Sequence, residues 1–216
     1  KEEKQIRSYI DNHTNEAIDL VEKVVNINSG TLNFKGNKKV GKIFQAELDK
    51  LGFKTYWVTY PKEIKRSGHL FAEMRGGKGQ NILLIGHLDT VFEPDHPFQK
   101  YTRKGDTAYG PGVSDMKAGD VSMIYIMKAL DKIGVLHDLN LTLAFTGDEE
   151  KTGGPVSIVR KELVEAGKWA NIGLGFEGAV GMNTGTIARR SSSSWVLTTT
   201  GIQGHSSQIF KDHLGY

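Results

Sequence analysis

The 216 residues carry 28 Lys and Arg against 25 Asp and Glu, a formal net charge of +3, and the charges are scattered, so no basic face is offered to nucleic acid. Cys is absent, which excludes a disulfide framework, a thiolate nucleophile and a cysteine zinc site and leaves His, Asp and Glu to hold any metal. No apolar run approaches the ~20 residues that span a bilayer, so no membrane partner is expected.

In chain order, Ile6, Ile10, Ile18, Val21, Val24 and Val25 recur at helical intervals over residues 2–27, and the polar stretch "NINSGTLNFKGN" then reads as a loop. A second helix is predicted over 39–51 with Gly52 as its stop, followed by the β-rich segments "FKTYWVTY" and "GHLFAEMRG". "NILLIG" at 81–86 and "LTLAFT" at 141–146 are short apolar runs of the kind buried on both faces of a sheet. Between them, Ser114 is a candidate N-cap for a helix that Gly134 stops. Strand, helix, strand implies a parallel sheet. A helix over 155–166 leads to "NIGLGF", a third candidate inner strand. The fold class expected is α/β, a mostly parallel sheet with helices on both faces. From Ile187 the texture turns to Ser, Thr and alternating apolar residues, so a first domain over 1–186 and the start of a second over 187–216 are expected.

Open α/β sheets bind ligands beyond the carboxyl ends of their strands. His87 and Asp89 follow "NILLIG", Asp148, Glu149 and Glu150 follow "LTLAFT", and Glu177 follows "NIGLGF". Asp115 sits in the glycine-rich turn "YGPGVSDMKAG" ahead of the intervening helix. Taken singly, each has a bland reading: Asp115 as a helix cap, Glu149 and Glu150 as first-turn acids, Glu177 as a solvated loop acid, His87 as a satisfied polar residue. Together they form a cluster of like charges that repels itself unless a cation sits among them. Oxygen and imidazole donors without sulfur fit zinc, manganese or cobalt, and a carboxylate beside the metal can act as a base. "GLGFEG" matches G-x-G-x-x-G but opens no helix, and neither a phosphate-binding loop nor a G-x-S-x-G elbow occurs.

"GHLDTVF", "GPGVSDMKAG", "GDEE" and "FEG", in this order, resemble the M20 family of zinc peptidases, in particular its glutamate carboxypeptidase branch. The resemblance implies two zinc ions bridged by Asp115, with His87 and Glu177 completing the protein ligands of one and Glu150 binding the other. It implies that Asp89 orients His87, that Glu149 is the general base, and that His205, in "GIQGHSS", stabilises the oxyanion in the active site of a partner subunit. A homodimer joined through a lid domain of which 187–216 is the beginning, and a small peptide or N-acyl amino acid substrate cut beside a free carboxylate, follow from the same resemblance. His213 stands in no matching motif. The chain begins at Lys1 rather than Met, which fits a removed leader and an exported or periplasmic location. An aminopeptidase or N-acyl amino acid deacylase, and a non-catalytic relative or fragment acting as a binding or dimerisation module, are the alternatives.

Overall fold

"NILLIG" and "LTLAFT" form the centre of the sheet, each inside a longer strand. A computed structural model describes residues 1–181, 183–188, 190, 191, 193, 195–198, 200, 201 and 205. In chain order its helices and strands are α1 (Glu2–Val25), α2 (Phe34–Lys50), β1 (Lys54–Val58), β2 (His69–Arg75), β3 (Lys78–His87), β4 (Thr102–Lys104), β5 (Thr107–Tyr109), α3 (Ala118–Lys132), β6 (Leu139–Thr146), α4 (Val156–Val159), α5 (Lys161–Trp169) and β7 (Ile172–Gly175). The main sheet runs β1-β2-β6-β3-β7, and β4 with β5 makes a separate ribbon. β6, β3 and β7 are parallel, as the strand-helix-strand order requires, while β2 and β1 extend the sheet antiparallel.

The strand period of two sorts side chains onto the two faces. Leu84, Leu143, Phe145, Leu70 and Ala72 point to one side, where they pack with Val24 of α1, Val40, Phe44 and Leu48 of α2, and Val121, Ile124 and Met127 of α3. Their neighbours Leu83, Ala144 and Phe71 point to the other, where Leu163 and Ala166 of α5 cover them. Helices therefore lie on both faces, as expected. Burying each large apolar side chain contributes roughly 1.5–3 kcal/mol, so this two-sided core is what fixes the strand ends in space.

Four local expectations differ from the structure. α2 starts at Phe34, inside the stretch read as loop, because the Asn33 side chain accepts the Gly36 N–H and caps it. α3 starts at Ala118 and not at Ser114, since Asp115 and Met116 have non-helical backbone angles. The helix over 155–166 is two helices broken at Arg160. β7 is at the edge of the sheet among the described residues, with all four of its residues exposed, where "NIGLGF" reads as an inner strand. A short apolar run does not distinguish an edge from a centre. The chain divides into two compact units, Lys1–Gly178 and Ala179–Tyr216. Most of the segment 187–216, His213 included, lies outside the described residues. No described helix is long and apolar enough to cross a membrane.

Candidate metal centre

Strand register brings the candidate residues level. His87, the last residue of β3, pairs with Thr146, the last of β6, and Ile85 pairs with Gly175, the last of β7. Two residues on from Ile85 and Gly175, His87 and Glu177 meet at the same carboxyl end. Asp115 joins them from the turn before α3. One ligand atom each from His87, Asp115 and Glu177 lies within 4.8 Å of the other two. The cleft beside them, about 380 Å³, also takes in Met116, Thr146, Glu149 and Arg160.

Two glycines permit this approach. A Cβ on Gly86 would lie 2.0 Å from Asp120 Oδ1, and one on Gly119 would lie 2.0 Å from the carbonyl oxygen of Phe176, the residue before Glu177. Lys117 ties the Asp115 turn down: fully buried, its Nζ donates to the carbonyls of Val24 and Ile27, both at 3.0 Å, at the C-terminal end of α1. The Val24 carbonyl, in the last turn of α1, also accepts the Ile27 N–H at 3.2 Å, and the Ile27 carbonyl lies just past the helix end. Burial lowers the Lys117 pKa to about 8, against the opposing charge of Asp120.

The buried ring of His87 faces an acceptor on each nitrogen: Nδ1 the backbone carbonyl of Asp89 at 3.0 Å, with the Asp89 carboxylate at 3.5 Å, and Nε2 the Asp115 carboxylate at 2.9 Å. Two acceptors require two ring protons. Burial works against that charge, but the bond to Asp89 and the negative field of Asp89, Asp120 and Glu149 outweigh it and raise the pKa to about 10. Burial also raises Glu149 and Glu150, and neighbouring acids raise both further: Glu177, Asp89 and Asp115 for Glu149, and Asp115, Asp89 and Glu149 for Glu150. Asp120 is fully buried with neither carboxylate oxygen hydrogen-bonded, and burial pushes it well above the carboxylate range. The raised values mark an excess of negative charge at this end of the sheet. A divalent cation held by His87 Nε2, Asp115 and Glu177 would replace the Nε2 proton and relieve the repulsion, so the donor set fits a metal.

Asp89 is the hub of the polar layer. Its buried carboxylate accepts the Thr31 hydroxyl at 2.7 Å, the Glu149 N–H at 3.0 Å and the Glu150 N–H at 3.2 Å. Burial opposes its charge, yet these bonds and His87 hold its pKa below the usual range. Asp89 thus lies beside His87, as the i, i+2 spacing implies, and it also fixes the backbone of both glutamates. Glu150 stands outside the three-residue cluster of ligand atoms but is close enough to Asp115 to feel its charge. His205 belongs to the second unit and is exposed.

Reading the sequence missed Thr31, Asp120, His69 and Arg160. Asp120 carries a legible signal: it falls on the apolar stripe of α3, four residues before Ile124 and seven before Met127, where a charge is out of place. Thr31 and His69 carry none, because they reach their partners across 58 and 78 residues.

A family model described as Peptidase family M20/M25/M40 matches residues 83–190, half of the chain. Carboxypeptidase G2 of Pseudomonas sp. (strain RS-16) is 35% identical over 167 residues, 74% of this chain and 38% of that protein. A succinyl-diaminopimelate desuccinylase of Bordetella petrii is 32% identical over 143 residues, 61% of this chain and 37% of that protein. The chain therefore spans about two fifths of the length of these relatives. Among solved structures, human carnosine dipeptidase 1 superposes with a TM-score of 0.67 at 18% identity, covering 81% of this chain and 41% of that one. Sso-CP2 of Sulfolobus solfataricus, an M20 family metallo-carboxypeptidase, gives 0.58 at 20% identity, covering 74% and 37%. At these identities the structural likeness establishes the fold.

Proposed function

The chain belongs to peptidase family M20/M25/M40, a family of metal-dependent peptidases, by its match over residues 83–190, and on that premise we propose that the whole protein is a zinc-dependent carboxypeptidase. It hydrolyses an amide beside a free carboxylate and releases a C-terminal residue such as glutamate. The observation that carries the reading is the meeting of His87, Asp115 and Glu177 at three elements' ends, with Glu149 and Glu150 presented beside them from the Asp89 hub.

His87, Asp115, Glu150 and Glu177 are the residues that would hold two zinc ions, which when bound supply Lewis acidity and lower the pKa of water. Asp89 keeps the Nδ1 proton of His87 in place and leaves Nε2 for the metal. Glu149, its pKa raised by burial and by its acidic neighbours, takes a proton from water at its carboxylate and passes it to the departing amine. The products are the shortened acid and the free amine. His205, by the resemblance of "GIQGHSS" to the lid histidine of the family, donates to the developing oxyanion across a dimer interface.

The test is the metal content of the natural-length protein, taken with hydrolysis of a panel of N-blocked and unblocked dipeptides. About two zinc ions per chain, and cleavage of blocked dipeptides ending in a free carboxylate, are expected. Little metal on a folded natural-length protein would overturn the assignment. The likeness to desuccinylases favours one second reading, N-acyl amino acid deacylation, which the same panel identifies by cleavage of acyl amino acids with peptides left intact.

A further inference from the structure

Three acids stand side by side after β6, and the mechanism uses two of them. Asp148 is the third, and it faces the other way. Glu149 is exposed, whereas Asp148 is completely buried. Its Oδ1 accepts from Arg160 Nη1 at 2.5 Å and its Oδ2 from the Gly153 N–H at 2.8 Å. Arg160 is the residue at which the helical run breaks between α4 and α5, and the break lets its guanidinium turn back under the loop. Nη2 donates to the Asp148 carbonyl and to Thr152 Oγ1, both at 3.1 Å. A guanidinium makes this fork of bonds where an ammonium cannot.

The remaining backbone groups of the loop are also accounted for. The Gly147 N–H donates to His69 Nδ1 at 3.1 Å, and the Gly147 carbonyl accepts from Ser67 Oγ at 3.2 Å. Arg66 holds the Lys151 carbonyl at 2.8 Å and the Thr152 carbonyl at 3.3 Å. With Asp89 on Glu149 and Glu150, each residue from 147 to 153 has a backbone group anchored by a side chain of this unit. Among the described residues only Asp148 and Arg160 join the two ends of the loop to one another, since Asp148 reaches Gly153 and Arg160 reaches both Asp148 and Thr152.

We propose that Asp148 and Arg160 are a positioning pair for the hydrolysis: together they fix the backbone from which Glu149 reaches the reacting atoms. The proposal rests on the reading of Glu149 given above. Asp148 is completely buried, and the Arg160 guanidinium, though it lines the cleft, is committed to Asp148 and Thr152. The pair converts a seven-residue turn into a rigid platform, and misplacing a catalytic group by 1 Å can cost roughly 10²-fold in rate.

The experiment compares Arg160→Met, Arg160→Lys, Asp148→Asn and the Asp148→Asn/Arg160→Met double variant in the natural-length, zinc-loaded protein. Steady-state kinetics, zinc content and amide hydrogen exchange of the peptide covering residues 147–153 are read for each. For Arg160→Met the expectation is a kcat lower by roughly 10²-fold, KM within about 3-fold, zinc retained, and loop exchange faster by about 10-fold or more with β3 and β6 unchanged. The double variant is no slower than the worse single one, because the two act as a unit. Arg160→Lys keeps the charge and loses the fork, and falls between wild type and Arg160→Met; it and Asp148→Asn decide the matter if Arg160→Met does not fold. Unchanged loop exchange in a folded Arg160 variant, or accelerated exchange with kcat unchanged, overturns the pair. A wild type that hydrolyses no amide defeats the carboxypeptidase reading instead, and the exchange data then judge the clamp by themselves.

Discussion

The loop after β6 and the end of β7 both deliver acids to one cluster, and they are held in opposite ways. β6 is flanked on both sides, by β2 and β3, and the six residues Leu141–Thr146 are buried; the turn that follows is fastened to side chains of Arg66, His69, Asp89 and Arg160, from three other segments. β7 pairs on one side alone among the described residues, with its apolar side chains Ile172 and Leu174 exposed, and Glu177 projects beyond it. On the roles proposed above, the fastened loop carries the base Glu149 together with the ligand Glu150, and the loosely held end carries the ligand Glu177 alone. A base must be placed before anything binds, whereas a ligand can be drawn in by the ion that it binds.

The comparison is broken most directly by removing one acid from each side. Glu149→Ala should lower kcat by on the order of 10²–10⁴-fold with zinc content unchanged, as expected for loss of a general base. Glu177→Ala should lose zinc first and activity as a consequence, recovering part of it at high zinc concentration. Metal lost from Glu149→Ala and kept by Glu177→Ala would reverse the assignment. A smaller effect sharpens the picture of the fastened side. Thr31→Val replaces a hydroxyl that donates to the Asp89 carboxylate at 2.7 Å with a methyl of the same shape. A hydrogen bond to a charged group contributes about 1.5–3 kcal/mol. Urea unfolding should show a loss of that size, with Thr31→Ser close to wild type; equal losses in both variants would mean that the hydroxyl bond is not what matters.

What the sequence discloses here and what it hides follow from the range of the interaction. His87, Asp115, Glu149, Glu150 and Glu177 are legible because each stands immediately after an apolar run or in a glycine-rich turn, and a parallel sheet gathers the ends of its strands. The side chains that hold them in place are not legible. Arg160 reads as an ordinary residue of a helix over 155–166, whereas the helix is interrupted there and the fold brings its guanidinium to Asp148. His69 reads as the second residue of the β-rich segment "GHLFAEMRG", and its bond to Gly147 spans 78 positions. The position of β7 at the edge is equally invisible, since Ile172 and Leu174 have the same composition whether or not a neighbour covers them.

His69 gives the last and smallest test of the fastened loop, through pH. Its Nδ1 accepts the Gly147 N–H, so the proton sits on Nε2 and is donated to the Val159 carbonyl at 2.9 Å. The ring is neutral. Burial is the main cause that lowers its pKa below the ordinary 6.5, and the Arg160 guanidinium adds to it, while the Val159 carbonyl and Asp148 oppose; Tyr60, edge-on to the ring, is the other titratable neighbour. The unfolded chain therefore binds a proton at His69 at a higher pH than the folded chain does. Below pH ~6.5 that proton favours unfolding, and stability falls by at most about 1.4 kcal/mol per pH unit until the folded ring also titrates. His69→Gln can accept from Gly147 and donate to Val159 without titrating. The stability of wild type relative to His69→Gln should be flat above pH 7 and should decline as pH falls from 6.5 toward 5, measured by urea unfolding at each pH. A difference that stays flat through that window would mean that His69 is already charged in the fold, and the Gly147 N–H would then have lost its acceptor at the very start of the loop that carries Glu149.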